Sequence, residues 1–202
     1  MSVEFSARKI VMNSRQGFLG GSDMYSIVNG KWDELWGVKT GRVKPKDLSG
    51  VLPVQMGIQT EDLNIKWFEY ETGSIVVDQQ KSFRVTHNNV PYKGTIDGFI
   101  RENNRLLEAK HSHESSNIQK LVRSYMPQMQ LYCYLSGADS CYLSAFFGNS
   151  RWEKALVFFC EEYISRLLSL CEEFWKSVEC DRKPILFFEP EYPNLESPRV
   201  IY

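Results

Sequence analysis

Gly94-Thr95-Ile96-Asp97-Gly98-Phe99-Ile100, followed across Arg101 to Asn104 by Arg105-Leu106-Leu107-Glu108-Ala109-Lys110-His111, is the stretch on which the fold turns. The two flanks read as strands, Gly94 to Ile100 and Arg105 to His111, joined through Asn103-Asn104, residue types that accept the positive φ of a tight hairpin. Side chains alternate along a strand, so Thr95, Asp97 and Phe99 share one face, and Leu106, Glu108 and Lys110 share one face. A two-residue loop pairs Glu102 with Arg105, setting Asp97 opposite Lys110 and Phe99 opposite Glu108. All three ionisable groups then lie on one side of the hairpin. A three-residue loop would set Asp97 opposite Ala109 and separate the carboxylates unless a bulge intervened.

Two carboxylates able to hold a divalent cation, with a lysine beside them, are what phosphodiester hydrolysis at neutral pH requires: charge is neutralised on the phosphate and a water is activated. An Asp followed within about twenty residues by Glu-x-Lys is common by chance, and the plain alternative is a solvated polar hairpin face. Ile96, Phe99, Ile100, Leu106, Leu107 and Ala109 weigh against that alternative by marking an interior hairpin. Unpaired charges there are costly, so buried acids need a cation.

Outward from the hairpin, residues 22 to 40 read as two short helices broken at Asn29-Gly30, with Ser22 as N-cap, and a basic loop runs on to Pro53. Pro53 to Thr72 reads as a helix stopped by Gly73. Short strands are expected at Ser74 to Val77 and Phe83 to Thr86. A helix spans Ser116 to Ser136, with Pro127 kinking it or opening its second half. Strands follow at Cys141 to Phe147 and Lys154 to Cys160. The last helix, Glu161 to Val178, carries an apolar stripe of Ile164, Leu167, Leu168, Cys171, Phe174, Trp175 and Val178, read as core. The order implies a central mixed β-sheet flanked by helices.

The chain has 202 residues, 43% of them hydrophobic and 13% aromatic, enough to bury a substantial core. It lacks a run of eighteen apolar residues, and Glu4, Arg8 and Lys9 interrupt the N-terminal stretch, so a cytoplasmic protein without a membrane partner is expected. Five cysteines without CxxC spacing suggest buried thiols, not disulfides or a zinc knuckle. A net charge of −1 argues against coating nucleic acid by bulk electrostatics. Contact with DNA is therefore expected to be local, and Lys39, Arg42, Lys44 and Lys46 form the candidate cluster, a solvated basic loop being the plain reading.

Four blocks in order resemble the YqaJ and lambda-exonuclease family of viral recombination nucleases. They are Arg15 through Gly20-Gly21-Ser22-Asp23 with Leu35-Trp36 to Thr40-Gly41; Gly57 to Glu61 with Phe68-Glu69 and Glu71-Thr72-Gly73; Gly94-Thr95-Ile96-Asp97-Gly98 with Leu107-Glu108-Ala109-Lys110; and Tyr125-Met126-Pro127-Gln128-Met129-Gln130 leading to Ser136-Gly137-Ala138. The resemblance implies an α/β, single-domain PD-(D/E)XK (restriction-endonuclease-like) fold. Its parts would be a helical portion of about 15–72, a catalytic sheet and helices of about 74–180, and a tail of 181–202. It implies that Asp97, Glu108 and the Ala109 carbonyl bind magnesium, with manganese substituting and calcium inhibiting. Lys110 would orient or deprotonate the attacking water, Glu61 would hold a second metal or its waters, and Gln130 would bond near Lys110. Arg15, Ser22 and Thr95 would lie at a pocket for the DNA 5′-phosphate. Departures from the family pattern are Thr95-Ile96 before the aspartate, His111-Ser112-His113 after the lysine, and Pro127 in the helix.

The activity so implied is a magnesium-dependent 5′-to-3′ exonuclease on linear double-stranded DNA, leaving 3′ overhangs for a single-strand annealing partner, with the enzyme in a trimeric ring. An endonuclease or nickase on the same fold, and a catalytically silent DNA-binding protein, are the competing functions.

Overall fold

The computed structural model describes residues 16–185 and 198–202. After a short strand β1 (Leu19–Gly20) come helices α1 (Gly21–Val28), α2 (Trp32–Lys39) and α3 (Leu52–Thr72). Strands β2 (Ser82–His87), β3 (Val90–Thr95), β4 (Gly98–Ile100) and β5 (Arg105–Ser112) lead to helix α4 (Ile118–Ser136). Strands β6 (Ser140–Phe147) and β7 (Arg151–Phe158), helix α5 (Glu161–Glu179) and strand β8 (Val200–Ile201) complete the chain.

Local chemistry accounts for most boundaries. Helix α1 starts before the expected Ser22 cap because Asp23, in the first turn, reaches back to accept the Gly20 N–H at 2.7 Å. Gly21 is needed there, since a Cβ at that position would stand 2.6 Å from the Tyr132 hydroxyl. Pro53 sits in the first turn of α3, and Gly73, at φ 69°, closes it in the left-handed conformation. Asn117 caps α4 by accepting the Lys120 N–H at 2.9 Å, and Pro127 lies inside a single continuous helix.

The strands form two sheets, ordered β1-β3-β2 and β4-β5-β6-β7-β8. Strands β5 and β6 run parallel, with α4 as the crossover; β4-β5, β6-β7 and β7-β8 are antiparallel. One face of the larger sheet packs Leu106, Leu143 and Val157 into the core with α1, α4 and α5. The other packs Leu107 and Ala109 against Ile65 and Phe68 of α3. Asn64 pins α3 there: its amide donates to the carbonyls of Lys110 at 3.0 Å and Ser144 at 3.1 Å. The α5 stripe from Ile164 to Trp175 is buried, as its period requires.

Three expectations need correction. The stretch Gly94 to Ile100 is not one strand: its first part pairs with β2 and its last with β5, and Ile96-Asp97 bends between the sheets. Ser74 to Val77 contributes only an isolated bridge, Val77 to Phe99. Of the cysteines, Cys133, Cys141 and Cys171 are buried, Cys160 is half-buried and Cys180 is exposed.

Candidate active site

Strand β5 and the bend before β4 position the site. Ile100 pairs with Arg105 and Gly98 with Leu107, so the hairpin register differs by two residues from that of a two-residue loop. The connection has four residues, a 3₁₀ turn at Arg101–Asn103 followed by Asn104 at φ 50°. A shift of two preserves parity, and the side chains stay on their expected faces. Extending the register puts Asp97 level with Glu108, not Lys110, and Phe99 lies opposite Leu106, not Glu108. Asp97 Oδ2 accepts the Ala109 N–H at 2.8 Å, which fixes its carboxylate over β5. Gly98 lets the bend approach, since a Cβ there would fall 2.2 Å from Val76.

Asp97, Glu108 and Lys110 therefore converge. The Lys110 ammonium forms an ion pair with Glu108 Oε1, lies 3.9 Å from Asp97 Oδ2 and donates to the Ala109 carbonyl at 3.3 Å. Tyr125 of α4 covers it, with the ring centre 5.0 Å from Nζ. The Glu108 side chain is only 3% exposed, against 13% for Asp97 and 21% for Lys110. Burial, then the neighbouring Asp97 charge, push the Glu108 carboxyl up to about 7, with Lys110 opposing them. Burial acts to lower the Lys110 ammonium, but Glu108 and Asp97 together outweigh it and hold it above the ordinary lysine range. A lysine so held is a cationic hydrogen-bond donor and a poor base.

Two glutamines foreseen in no role stand at the site. Gln128 of α4 donates to Glu108 Oε1 at 2.5 Å. Gln80, at φ 58°, donates to Glu61 Oε1 at 2.8 Å and lies 3.5 Å from Asp97 Oδ1, so it links α3 to the bend. Helical phase could have found the first, because Gln130 continues the buried row of Met126 and Cys133 while Gln128 points elsewhere. Gln80, in a turn, offers no periodicity to read.

The remaining candidates divide. Gln130 does not approach Lys110: fully buried, it donates to the Phe158 carbonyl at 2.8 Å and accepts the Cys160 N–H at 2.8 Å, clamping α4 to the β7–α5 junction. Glu61 reaches the acids through Gln80, and among the described residues no group of three or more His, Cys, Asp or Glu side chains is arranged to hold a metal. Lys39 is internal, bonded to Asp23 at 2.6 Å and to the Phe18 carbonyl at 2.7 Å, and is not a surface cation. Arg42 makes a two-pronged contact with Asp181, at 2.7 and 2.9 Å, and lies over Trp36. Lys44, Lys46 and Ser22 are exposed, and the Thr95 hydroxyl meets Ser82 at 2.8 Å. Arg15 lies outside the described residues. No helix is long and apolar enough to cross a membrane among the described residues.

The fold recurs in solved exonuclease structures. An alkaline exonuclease (LHK-Exo) from Laribacter hongkongensis is 15% identical, covering 81% of this chain and 89% of that one, with TM-score 0.62. A structure of that protein in complex with dAMP is equally similar. A phage related exonuclease from Haemophilus somnus 129PT is 12% identical over 82% of this chain and 96% of that one, with TM-score 0.66. A putative exonuclease from Eubacterium rectale is 10% identical over 80% of each chain, with TM-score 0.55. No curated protein matches the chain. Residues 12–139, spanning all four blocks and the converging acids and lysine, match the family model of the YqaJ-like viral recombinase domain. The fold is the PD-(D/E)XK α/β fold, and the chain belongs to the YqaJ-like viral recombinase family.

Proposed function

We propose that the protein is a magnesium-dependent exodeoxyribonuclease that digests linear double-stranded DNA from 5′ ends and leaves 3′ overhangs. One observation carries this reading: Asp97, Glu108 and Lys110 converge on the Ala109 backbone, with Glu108 almost wholly buried. Two carboxylates held together, one desolvated and driven up by its neighbour, suit a hard divalent cation with oxygen ligands. Asp97, Glu108 and the Ala109 carbonyl would hold magnesium, which when bound supplies Lewis-acid polarisation of the phosphate and a more acidic water.

The chain's own groups do the rest. Lys110, charged and covered by Tyr125, donates to the attacking water and steadies developing negative charge. Its place beside the Ala109 carbonyl and under the Tyr125 ring suits it to orient that water. Gln128 orients Glu108, and Gln80 holds Glu61 near Asp97, where its carboxylate serves a second metal or its waters. Ser22, Thr95 and Arg15 serve the terminal phosphate, with Lys44 and Lys46 as local DNA contacts. Manganese substitutes, whereas calcium supports binding but not hydrolysis because it tolerates looser geometry. The family resemblance extends the proposal to a trimeric ring around DNA and to a strand-annealing partner. The complex of LHK-Exo with dAMP is in keeping with a mononucleotide product.

Linear and covalently closed circular duplex, each incubated with the protein and magnesium, separate the competing functions. Release of 5′ nucleotides from linear DNA alone is expected. Cleavage of the closed circle would make the protein an endonuclease or nickase, and binding without hydrolysis of either would make it catalytically silent.

A further inference from the structure

Residues 78–80 form a turn that crosses the bend carrying Asp97. Val77 and Phe99 exchange both backbone hydrogen bonds at 2.8 Å on one side of it, and on the other the Ile96 N–H donates to the Lys81 carbonyl at 3.0 Å. The turn is thus fixed to the backbone before and after Asp97. Asp78 accepts from Lys81 and from Arg101, each at 3.1 Å, and ties it to the connection after β4 as well.

Its conformation is unfavourable for what it contains. Asp78 and Gln80 have positive φ, 51° and 58°, where a Cβ crowds the following carbonyl. Aspartate visits that region because its short side chain can bond locally, whereas glutamine has no such help, and glycine would stand there without strain. What Gln80 has and glycine lacks is a side chain, and from an exposed position it turns toward the acids: Nε2 donates to Glu61 Oε1 at 2.8 Å and lies 3.5 Å from Asp97 Oδ1. Carboxylate oxygens only accept, so the amide nitrogen is the end that faces them. A backbone outlier beside reactive groups argues for a role.

A neutral amide suits that role better than a charged donor. It holds carboxylates from two elements, α3 and the bend, around one nitrogen and leaves both negative charges in place for a cation. A lysine there would hold them and also cancel the charge that attracts the ion. We propose that Gln80 is the positioning residue for the second metal ion: its amide fixes Glu61 against Asp97 before the ion arrives, and so sets that ion's affinity without ligating it. This inference rests on the nuclease reading above and adds to it what governs loading of the second ion.

Two variants separate the amide from the backbone: Gln80→Gly removes the amide and relieves the strain, and Gln80→Ala removes the amide and keeps the strain. Manganese binding to the metal-free protein is followed by calorimetry, stability by denaturant midpoint, and nucleotide release from linear duplex as a function of magnesium. The wild type is expected to bind two manganese ions. Both variants should weaken the second ion about 10–100-fold, leave the first within about threefold, and recover release when magnesium is raised in proportion. The Gly variant should unfold at a higher denaturant midpoint than the Ala variant, so that metal affinity and stability part company, as they would not for a merely structural residue. Loss confined to the Gly variant, equal loss of both ions, unchanged binding in both variants, or a wild type that binds only one ion overturns the proposal. A wild type that binds two ions with this dependence on Gln80 but releases no nucleotide overturns the nuclease reading instead.

Discussion

Strand β5 carries a buried polar cluster on each side, and the two manage burial in opposite ways. Toward α3, Asn64 serves the Lys110 and Ser144 carbonyls and accepts the Ser144 hydroxyl, which in turn accepts the Trp152 indole N–H at 2.8 Å. Every group there is neutral and partnered. Toward α4, two carboxylates share one ammonium, and Glu108 is driven up by burial and by Asp97. A satisfied neutral network fixes helix to sheet; a cluster with more acid than base is what the proposed function assigns to a cation and a reaction.

Substitutions can break that contrast. Among variants that keep both carboxylates, Lys110→Ala should give the largest effect, a fall in nucleotide release on the order of a thousandfold with duplex binding largely retained, read from single-turnover rates and anisotropy. Lys110→Arg sharpens the point, because a donor role survives partly in a guanidinium while a base role does not. Near-normal turnover of Lys110→Ala would show that the lysine has no part in the chemistry.

On the neutral side, Asn64→Ala should act on stability, lowering it by about 2–3 kcal/mol through unpaired carbonyls and the stranded Ser144 hydroxyl. Denaturant midpoints measure this, and the rate per folded molecule should change far less than in Lys110→Ala. Equal reduction of rate in both variants would erase the distinction between the faces. The smallest effect is expected from Gln128→Ala, about tenfold in rate at unchanged stability, because it only orients Glu108. A Gln128→Ala enzyme as fast as wild type would make that hydrogen bond incidental.

Period-two patterning makes the face of the candidate site legible on β5, where Glu108 and Lys110 share one side whatever the register; Asp97, in the bend before β4, is held over that strand by the Ala109 N–H. The difference of two residues in register originates in the turn: nothing in Asn103-Asn104 announces that Arg101 to Asn103 coil into a 3₁₀ turn. Two residues expected at the surface or the site are decipherable as internal from helical phase. Lys39 follows Trp32 and Leu35 on the buried face of α2, and Gln130 follows Met126 on that of α4, so both turn inward. Gln80 and the two-residue strand β8 depend on tertiary contacts alone, too short for any period to register.

Magnesium-dependent release of nucleotides from end-labelled linear duplex, compared between the wild type and a folded Asp97→Ala variant, bears most directly on the proposed centre. The account requires release by the wild type and a drop of at least about a thousandfold in the variant, since removing a metal ligand forfeits several kcal/mol of charge stabilisation. Comparable rates from the two proteins would contradict it.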